Sequence, residues 1–145
     1  KNSFAKITYN WQGIFNGCKN IEGPIPSDFF ANCTPDTVNS AFFCCENLTG
    51  SIPENLFKYN TKVKTFCGAF FGCENLTGNI PENLFVNNTD ATDFSHTFRD
   101  CSNLTGTPPP LCERQNITNS GYCFIGCNLL NLNEVPKSWG GNKKD

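Results

Sequence analysis

Apolar residues recur along this chain with a period of 26 to 28 residues. The recurring unit has a phenylalanine three residues before a cysteine, then Asn-Leu-Thr-Gly, then Ile-Pro and Leu-Phe. Five cysteines mark five copies of this unit, numbered 1 to 5 below: Cys18, Cys45, Cys73, Cys101 and Cys127. One unit is too short to bury its own apolar face, so neighbouring copies must stack and share one. The pattern therefore predicts a solenoid of about five leucine-rich-type repeats.

The spacing within one unit predicts its local structure. Leu48, Gly50 and Ile52 lie two residues apart, which is typical of a strand with one face turned inward. The Pro-Glu-Asn-Leu-Phe segment that follows predicts a short helical turn, α or 3-10, because proline suits the first helical position. The expected fold has a parallel β-sheet on one face and short helical turns and loops on the other. Stacked phenylalanines would form its spine.

The domain organisation follows from the extent of the repeat. The chain has 145 residues, which fits one domain. Residues 1–141 are predicted to form a single repeat solenoid, with residues 1–11 as an N-terminal cap. Residues 142–145 are predicted to be a polar tail.

The residues around the second and third column cysteines resemble a known repeat family. Residues 41–45 read Ala-Phe-Phe-Cys-Cys and residues 69–73 read Ala-Phe-Phe-Gly-Cys, each followed by Asn-Leu and Ile-Pro. They resemble the A-F-x-x-C-x-x-L-x-x-I-x-I-P signature of BspA-like, Treponema-type leucine-rich repeats of bacterial surface proteins. The longer period also fits a sister repeat class. The resemblance covers about residues 12 to 139 and implies an extracellular or cell-surface adhesion module.

Charge and hydropathy narrow the expected partners. The chain carries 13 acidic and 11 basic residues, for a net charge of -2. This balance disfavours nucleic-acid binding. No apolar run approaches the length that crosses a bilayer, so no membrane insertion is expected in this segment.

The ten cysteines allow two interpretations. The five column cysteines can fill one core slot in each copy, because a free cysteine behaves as a small hydrophobe. Alternatively, adjacent copies are close enough for disulfides such as Cys18 to Cys45, in an oxidising exterior. A zinc site is a weaker option, because Cys123 and Cys127 lack a second pair at similar spacing. The connectivity stays open.

A column of asparagines follows the cysteines by two residues. We interpret it as a structural ladder in which the side-chain amides bond to neighbouring copies. Three of its members also fit the Asn-x-Ser/Thr glycosylation pattern, which such a ladder would oppose. The members of the column are Asn20, Asn47, Asn75 and Asn103.

The chain offers little for catalysis. Its only histidine, His96, has no third group placed to orient it against a nucleophile. The nearby Asp90, Asp93 and Asp100 lack the spacing of a calcium loop and are interpreted as a solvated acidic face. We expect no enzyme activity, no catalytic residue, no cofactor and no metal.

Two surfaces are candidates for partner binding. The first is the polar, outward side of the predicted strands, and the second is the set of variable return segments 59–64, 87–93 and 113–122, because loops on a rigid scaffold often carry recognition. The expected function is protein or glycan binding in adhesion. The alternative is a structural spacer or a self-assembling segment of a surface appendage or phage tail fibre, whose partners are copies of itself. The candidate residues are Glu22, Thr49, Thr77, Thr105, Ser51, Asn79, Thr107 and Tyr59.

Overall fold

A computed structural model describes residues 12–145, so the predicted cap at residues 1–11 lies outside the described residues. The described part is mostly non-helical and contains no α-helix. Its regular elements are four strands of two residues each and two short 3-10 helices. The strands are β1 (Gly23–Pro24), β2 (Leu48–Thr49), β3 (Gly78–Asn79) and β4 (Leu104–Thr105), and the 3-10 helices are Leu111–Glu113 and Lys137–Trp139.

The strands pair in parallel between successive copies. β1 pairs with β2 and β3 pairs with β4, as two separate two-stranded sheets. An isolated parallel bridge between Gly50 and Leu76 connects the two pairs along the same line. The prediction of parallel pairing is therefore confirmed for the part described.

The predicted strand through Leu48 and Ile52 is cut short. Both side chains are buried, as the spacing predicts. Between them, however, Gly50 has a φ of 74°, so the chain leaves the extended conformation after Thr49. Only glycine adopts this left-handed backbone at little cost, which explains why the same position is glycine in the first four copies.

The predicted helical turns are mostly single turns. The Leu56 N–H donates to the Pro53 carbonyl at 3.2 Å, and the Lys58 N–H donates to the Asn55 carbonyl at 3.1 Å. The donors are alternate residues, so these bonds do not form the run of successive hydrogen bonds that defines a helix. In the described part, 3-10 helix forms only in the fourth and fifth copies, at the two ranges given above.

A second ladder runs through the segment that precedes each column cysteine. There the N–H groups of every second residue donate to the next copy. Ser40 donates to Cys67 O at 2.8 Å and Phe42 donates to Ala69 O at 2.8 Å. The intervening Ala41 N–H stays within its own copy and donates to Val38 O at 3.1 Å. This alternation fixes one copy above the next at a constant register.

Two backbone positions in this segment are left-handed in every copy. They lie five residues and one residue before the column cysteine. Glycine fills both in copies 1 and 3 and the second in copy 5, whereas larger residues adopt the same positive φ elsewhere. These larger residues are Ser40, Cys44, His96, Asp100 and Tyr122.

Stacked phenylalanines form the core. The ring centroids of Phe42 and Phe70 are 5.7 Å apart, those of Phe70 and Phe98 are 5.4 Å apart, and those of Phe98 and Phe124 are 5.8 Å apart. Trp139 lies over Phe124 at 6.5 Å and ends the stack. Every one of these rings is buried, so the stack is the continuous apolar centre shared by the copies.

The C-terminal residues cover this end of the core. The predicted tail, residues 142–145, is polar and exposed. Its backbone nevertheless pairs with the last copy, because the Asn142 N–H donates to Leu132 O at 3.0 Å and the Lys143 N–H donates to Val135 O at 2.9 Å. The tail is therefore held against residues 132–137 and does not extend away from the fold.

Candidate functional site

The column cysteines form a ladder of thiol hydrogen bonds. Each thiol of copies 2 to 5 donates to the carbonyl of the core phenylalanine in the preceding copy, and all ten cysteines are free. The four bonds run from Cys45 to Phe15 at 3.1 Å, Cys73 to Phe42 at 3.0 Å, Cys101 to Phe70 at 3.0 Å, and Cys127 to Phe98 at 2.9 Å. This arrangement satisfies a carbonyl in each copy, and explains why a thiol suits the slot better than a purely apolar side chain.

Burial makes these thiols poor nucleophiles. It raises the pKa of Cys45 to about 11 and that of Cys127 to about 12. It also raises the pKa of Cys73 and Cys101. The half-buried Cys44 shows the same direction, first from burial and then from the carboxylates of Glu46 and Glu74. Because a reactive cysteine needs a lowered pKa, the structure gives these cysteines a packing and hydrogen-bonding role.

The asparagine column bonds to the backbone of the preceding copy. The Asn75 amide donates to Glu46 O at 2.7 Å, and the Asn103 amide donates to Glu74 O at 2.6 Å. The Asn47 amide makes the equivalent bond to Lys19 O. These side chains are exposed at the surface, so the ladder they form is an outer one.

A second ladder of asparagine side chains is buried, and the sequence analysis did not predict it. Asn60 is 2% exposed and its amide donates to Phe30 O and Cys33 O, both at 2.9 Å. Asn88 repeats this one copy later, donating to Phe57 O at 3.2 Å and Asn60 O at 2.9 Å. The signal in the sequence was an asparagine three residues after each Leu-Phe pair.

The fourth copy continues this buried ladder with an arginine. Arg114 donates through Nη1 to Asn88 O at 3.1 Å and through Nη2 to Phe85 O. Its guanidinium also lies 5.6 Å from the Phe94 ring centroid. Burial lowers the pKa of Arg114. A longer side chain thus reaches the carbonyls that the asparagine amide serves in the preceding copy.

The acidic residues around His96 have structural contacts. Asp93 accepts hydrogen bonds from Ser95 N at 2.9 Å and Ser95 Oγ at 2.6 Å, which caps the turn that follows. Asp90 pairs with Lys64 at 3.1 Å on the surface. Within residues 12–145 there is no group of three or more histidine, cysteine or acidic side chains that could hold a metal ion.

The predicted strand face forms two polar columns. All of its residues are exposed except Thr105, which is half-buried. They are Glu22, Thr49, Ser51, Thr77, Asn79, Thr105 and Thr107. The Thr105 hydroxyl donates to Asn79 Oδ1 at 3.0 Å, so neighbouring side chains of this surface are partly bonded to one another. Tyr59, which is 61% exposed, lies elsewhere, beside a cavity of about 60 Å³ that Thr34 and Lys62 also line.

A row of aromatic rings forms a different surface, on which Tyr122 is exposed and the other rings are half-buried. We call it the aromatic row, and define it as Phe43, Phe71, His96 and Tyr122 together with Arg99. Ring centroids are 4.6 Å apart between Phe43 and Phe71, 6.1 Å between Phe71 and His96, and 5.3 Å between His96 and Tyr122. Four successive copies therefore each contribute one ring to a continuous line.

Arg99 is held within the row from several sides. Its guanidinium carbon lies 5.1 Å from the Phe71 centroid and 5.8 Å from the Tyr122 centroid. Its Nη1 is 3.4 Å from His96 Nδ1, and its Nε is 3.5 Å from an Asp100 carboxylate oxygen. The side chain is 36% exposed, so a fixed cation is presented between two rings.

The backbone explains why the rings line up. His96 and Tyr122 occupy the left-handed position five residues before the column cysteine, where the preceding copy has Gly68. A Cβ atom added at Gly68 would lie 3.4 Å from Ser40 Oγ and 3.9 Å from both Phe43 Cδ2 and Phe71 Cβ, so this position borders the same row. Of the row, only Tyr122 falls in a return segment that the sequence singles out. The doubled phenylalanines of copies 2 and 3 were the available signal for Phe43 and Phe71.

Comparisons with known proteins give no relatives for this chain. No protein-family model matches it, and neither a curated protein nor a solved structure does. The described residues also lack a helix that is long and apolar enough to cross a lipid bilayer.

Proposed function

We propose that this chain is an extracellular binding or adhesion module, a solenoid of about five leucine-rich-type repeats that recognises a protein ligand through the aromatic row. The observation that carries the proposal is the continuous line of four rings around the clamped Arg99. Aromatic residues and arginine are the types enriched at the centres of protein interfaces. Phe43, Phe71 and His96 are half-buried and Tyr122 is 57% exposed, so part of each ring is accessible to a partner.

The rigidity of the row supports binding. Its residues follow one another along hydrogen-bonded backbone, because Gly72 donates to Arg99 O at 2.8 Å and His96 donates to Gly121 O at 2.9 Å. Ordering the row on binding would therefore cost little conformational entropy, except at Tyr122, which is 57% exposed. Arg99 is also oriented in advance, since rings flank it on two sides.

The period and the Phe-x-x-Cys units support membership of the BspA-like repeats or a sister class. On that basis the chain would act at a cell surface, where such modules bind host proteins or glycans. The strand face, with Thr49 and Thr77 at its centre, would be a second and more polar contact surface. Its side chains suit hydrogen bonding, whereas the aromatic row suits apolar contact.

A structural spacer is the second candidate. The observation in its favour is the regular stacking, in which alternate backbone N–H groups bond to the next copy and make a stiff unit. End-to-end assembly through the last copy is disfavoured, because Trp139 covers Phe124 and the tail pairs back along residues 132–137. Ligand binding at the aromatic row uses the side of the stack, so the covered end does not hinder it.

The test compares a row variant with a matched control. The triple substitution Phe71→Ala, Arg99→Ala and Tyr122→Ala removes the row, whereas Thr49→Ala with Thr77→Ala alters the strand face. Both variants and the parent chain are screened by biolayer interferometry against panels of extracellular-matrix proteins and neutral and acidic oligosaccharides.

We expect a protein ligand whose binding the row variant loses and the strand-face control keeps. Circular dichroism and urea unfolding establish that both variants remain folded. Binding that survives in the row variant would contradict the proposal. Sedimentation velocity tests the self-assembling form of the structural alternative, which requires concentration-dependent assembly in the absence of any ligand.

A further inference from the structure

The repeat breaks between its fourth and fifth copies, and a cavity lies at the break. Where the second and third copies read Ile-Pro-Glu-Asn, the fourth reads Thr-Pro-Pro-Pro at residues 107–110. The cavity has a volume of about 170 Å³. Its lining residues are Thr107, Pro108, Pro109, Pro110, Cys112, Glu113, Asn131, Glu134 and Val135.

The walls are apolar and the charges stand at the rim. Pro108, Pro109 and Val135 are buried, so they present carbon surface to the space between the copies. Glu113 and Glu134 are exposed. An apolar wall below a carboxylate rim matches a side chain that has an aliphatic stem and a cationic end.

The chain itself places an amine at this rim. Lys143 Nζ lies 3.1 Å from Glu134 Oε2. Burial raises the pKa of the Cys112 thiol, which also lines the cavity. Among the residues described, Glu113 forms no ion pair, which leaves one carboxylate uncompensated.

We propose that this cavity is a binding subsite for a lysine or arginine side chain of a partner polypeptide. The stem would lie against Pro108 and Val135, and the cationic group would pair with Glu113 and compete with Lys143 for Glu134. The subsite adjoins Thr107 of the strand face and is independent of the aromatic row. It would give the polar strand face one point of charge-specific recognition.

The experiment titrates the isotope-labelled full chain with Nα-acetyl-lysine amide and follows backbone amide shifts by NMR. Nα-acetyl-norleucine amide, which has a similar stem and no ammonium group, is the matched probe. We expect saturable shifts at Cys112, Glu113 and Asn131 with the lysine amide. The norleucine amide should bind about threefold to fivefold more weakly, the size expected of an exposed ion pair.

Three variants make the test specific. Glu113→Gln with Glu134→Gln should weaken lysine-amide binding to the level of the norleucine amide. Lys143→Ala should strengthen it, because Glu134 then has no internal partner. Glu82→Gln, an exposed carboxylate of the third copy, should change nothing. Equal binding of the two amides, or no saturable shift at the cavity, would overturn the proposal, whatever the outcome at the aromatic row.

Discussion

Phe70 and Phe71 are adjacent in the chain and belong to opposite environments. Phe70 is 0% exposed and stacks between Phe42 and Phe98 in the core. Phe71 is half-buried, stacks on Phe43 at 4.6 Å and carries Arg99 on its face. One residue of displacement separates the spine of the fold from its candidate binding surface.

The difference also appears in how each column varies between copies. The inner column is phenylalanine in all five copies, because each ring must fit the ring above and the ring below. The outer column changes freely along the same chain. It contains Asn16, Phe43, Phe71, Arg99 and Ile125. A stacked repeat thus constrains inward positions by mutual fit and leaves outward positions available for function.

The largest predicted loss of stability comes from removing a ring of the inner column. Phe70→Ala should lower the free energy of unfolding by about 3 to 5 kcal/mol, because it opens a cavity within the ring stack. Phe71→Ala is the matched control and should cost about 1 kcal/mol or less, since its ring is already partly solvated. Urea unfolding monitored by circular dichroism measures both. Similar losses at the two positions would show that the row is part of the core.

The next largest predicted effect on stability distinguishes a buried asparagine from the exposed asparagine beside it. Asn88 is 0% exposed and donates to two carbonyls, whereas Asn87 is exposed. Asn88→Ala should cost about 2 to 4 kcal/mol, because two buried carbonyls lose their donor. Asn87→Ala should change the free energy of unfolding by less than about 0.5 kcal/mol. A small loss at Asn88 would mean that water replaces the amide.

The thiol ladder predicts a loss of stability at alkaline pH. In the unfolded chain a thiol has a pKa near its ordinary value of 9.0, whereas burial raises the pKa of Cys45 to about 11 and of Cys127 to about 12. Above about pH 9 the folded state therefore holds protons that the unfolded state has lost. The contribution is complete below that pH and falls as pH rises, by about 1.4 kcal/mol per pH unit for each thiol.

Urea unfolding between about pH 8 and about pH 11 measures this slope. Lysines and tyrosines titrate in the same range, so the informative quantity is the difference between the parent chain and Cys127→Ala. The variant should have a shallower slope by about one thiol. Parallel slopes in the two proteins would indicate that the Cys127 thiol is not protected in the folded state.

The smallest effect concerns backbone strain along the surface segment. Ser40 has a φ of 52°, at a position that is glycine in the first and third copies. Ser40→Gly should raise the free energy of unfolding by about 0.5 to 1 kcal/mol, because glycine adopts this conformation without steric cost. Ser51→Gly, at an exposed position outside the left-handed set, should instead lower it slightly. A loss at Ser40 would show that its hydroxyl contributes more than the strain costs.

The candidate surfaces were predictable to different degrees. The strand face followed from the alternation in Leu48, Gly50 and Ile52, which fixes which neighbours point outward. The aromatic row did not follow, because its rings come from two different sequence positions and four copies. Only the left-handed backbone at His96 and Tyr122 aligns them with the phenylalanines of copies 2 and 3.

By itself, the sequence determined the period, the parallel pairing between copies and the identity of the inner column, because equivalent residues one period apart must pack on one another. The tertiary structure alone decided that strands are two residues long and that Arg99 lies between two rings. It also decided that Arg114 makes in the fourth copy the hydrogen bonds that Asn88 makes in the third. A repeat specifies which residues are equivalent. The sign of φ at a few positions, and the reach of individual side chains, then specify which of them meet.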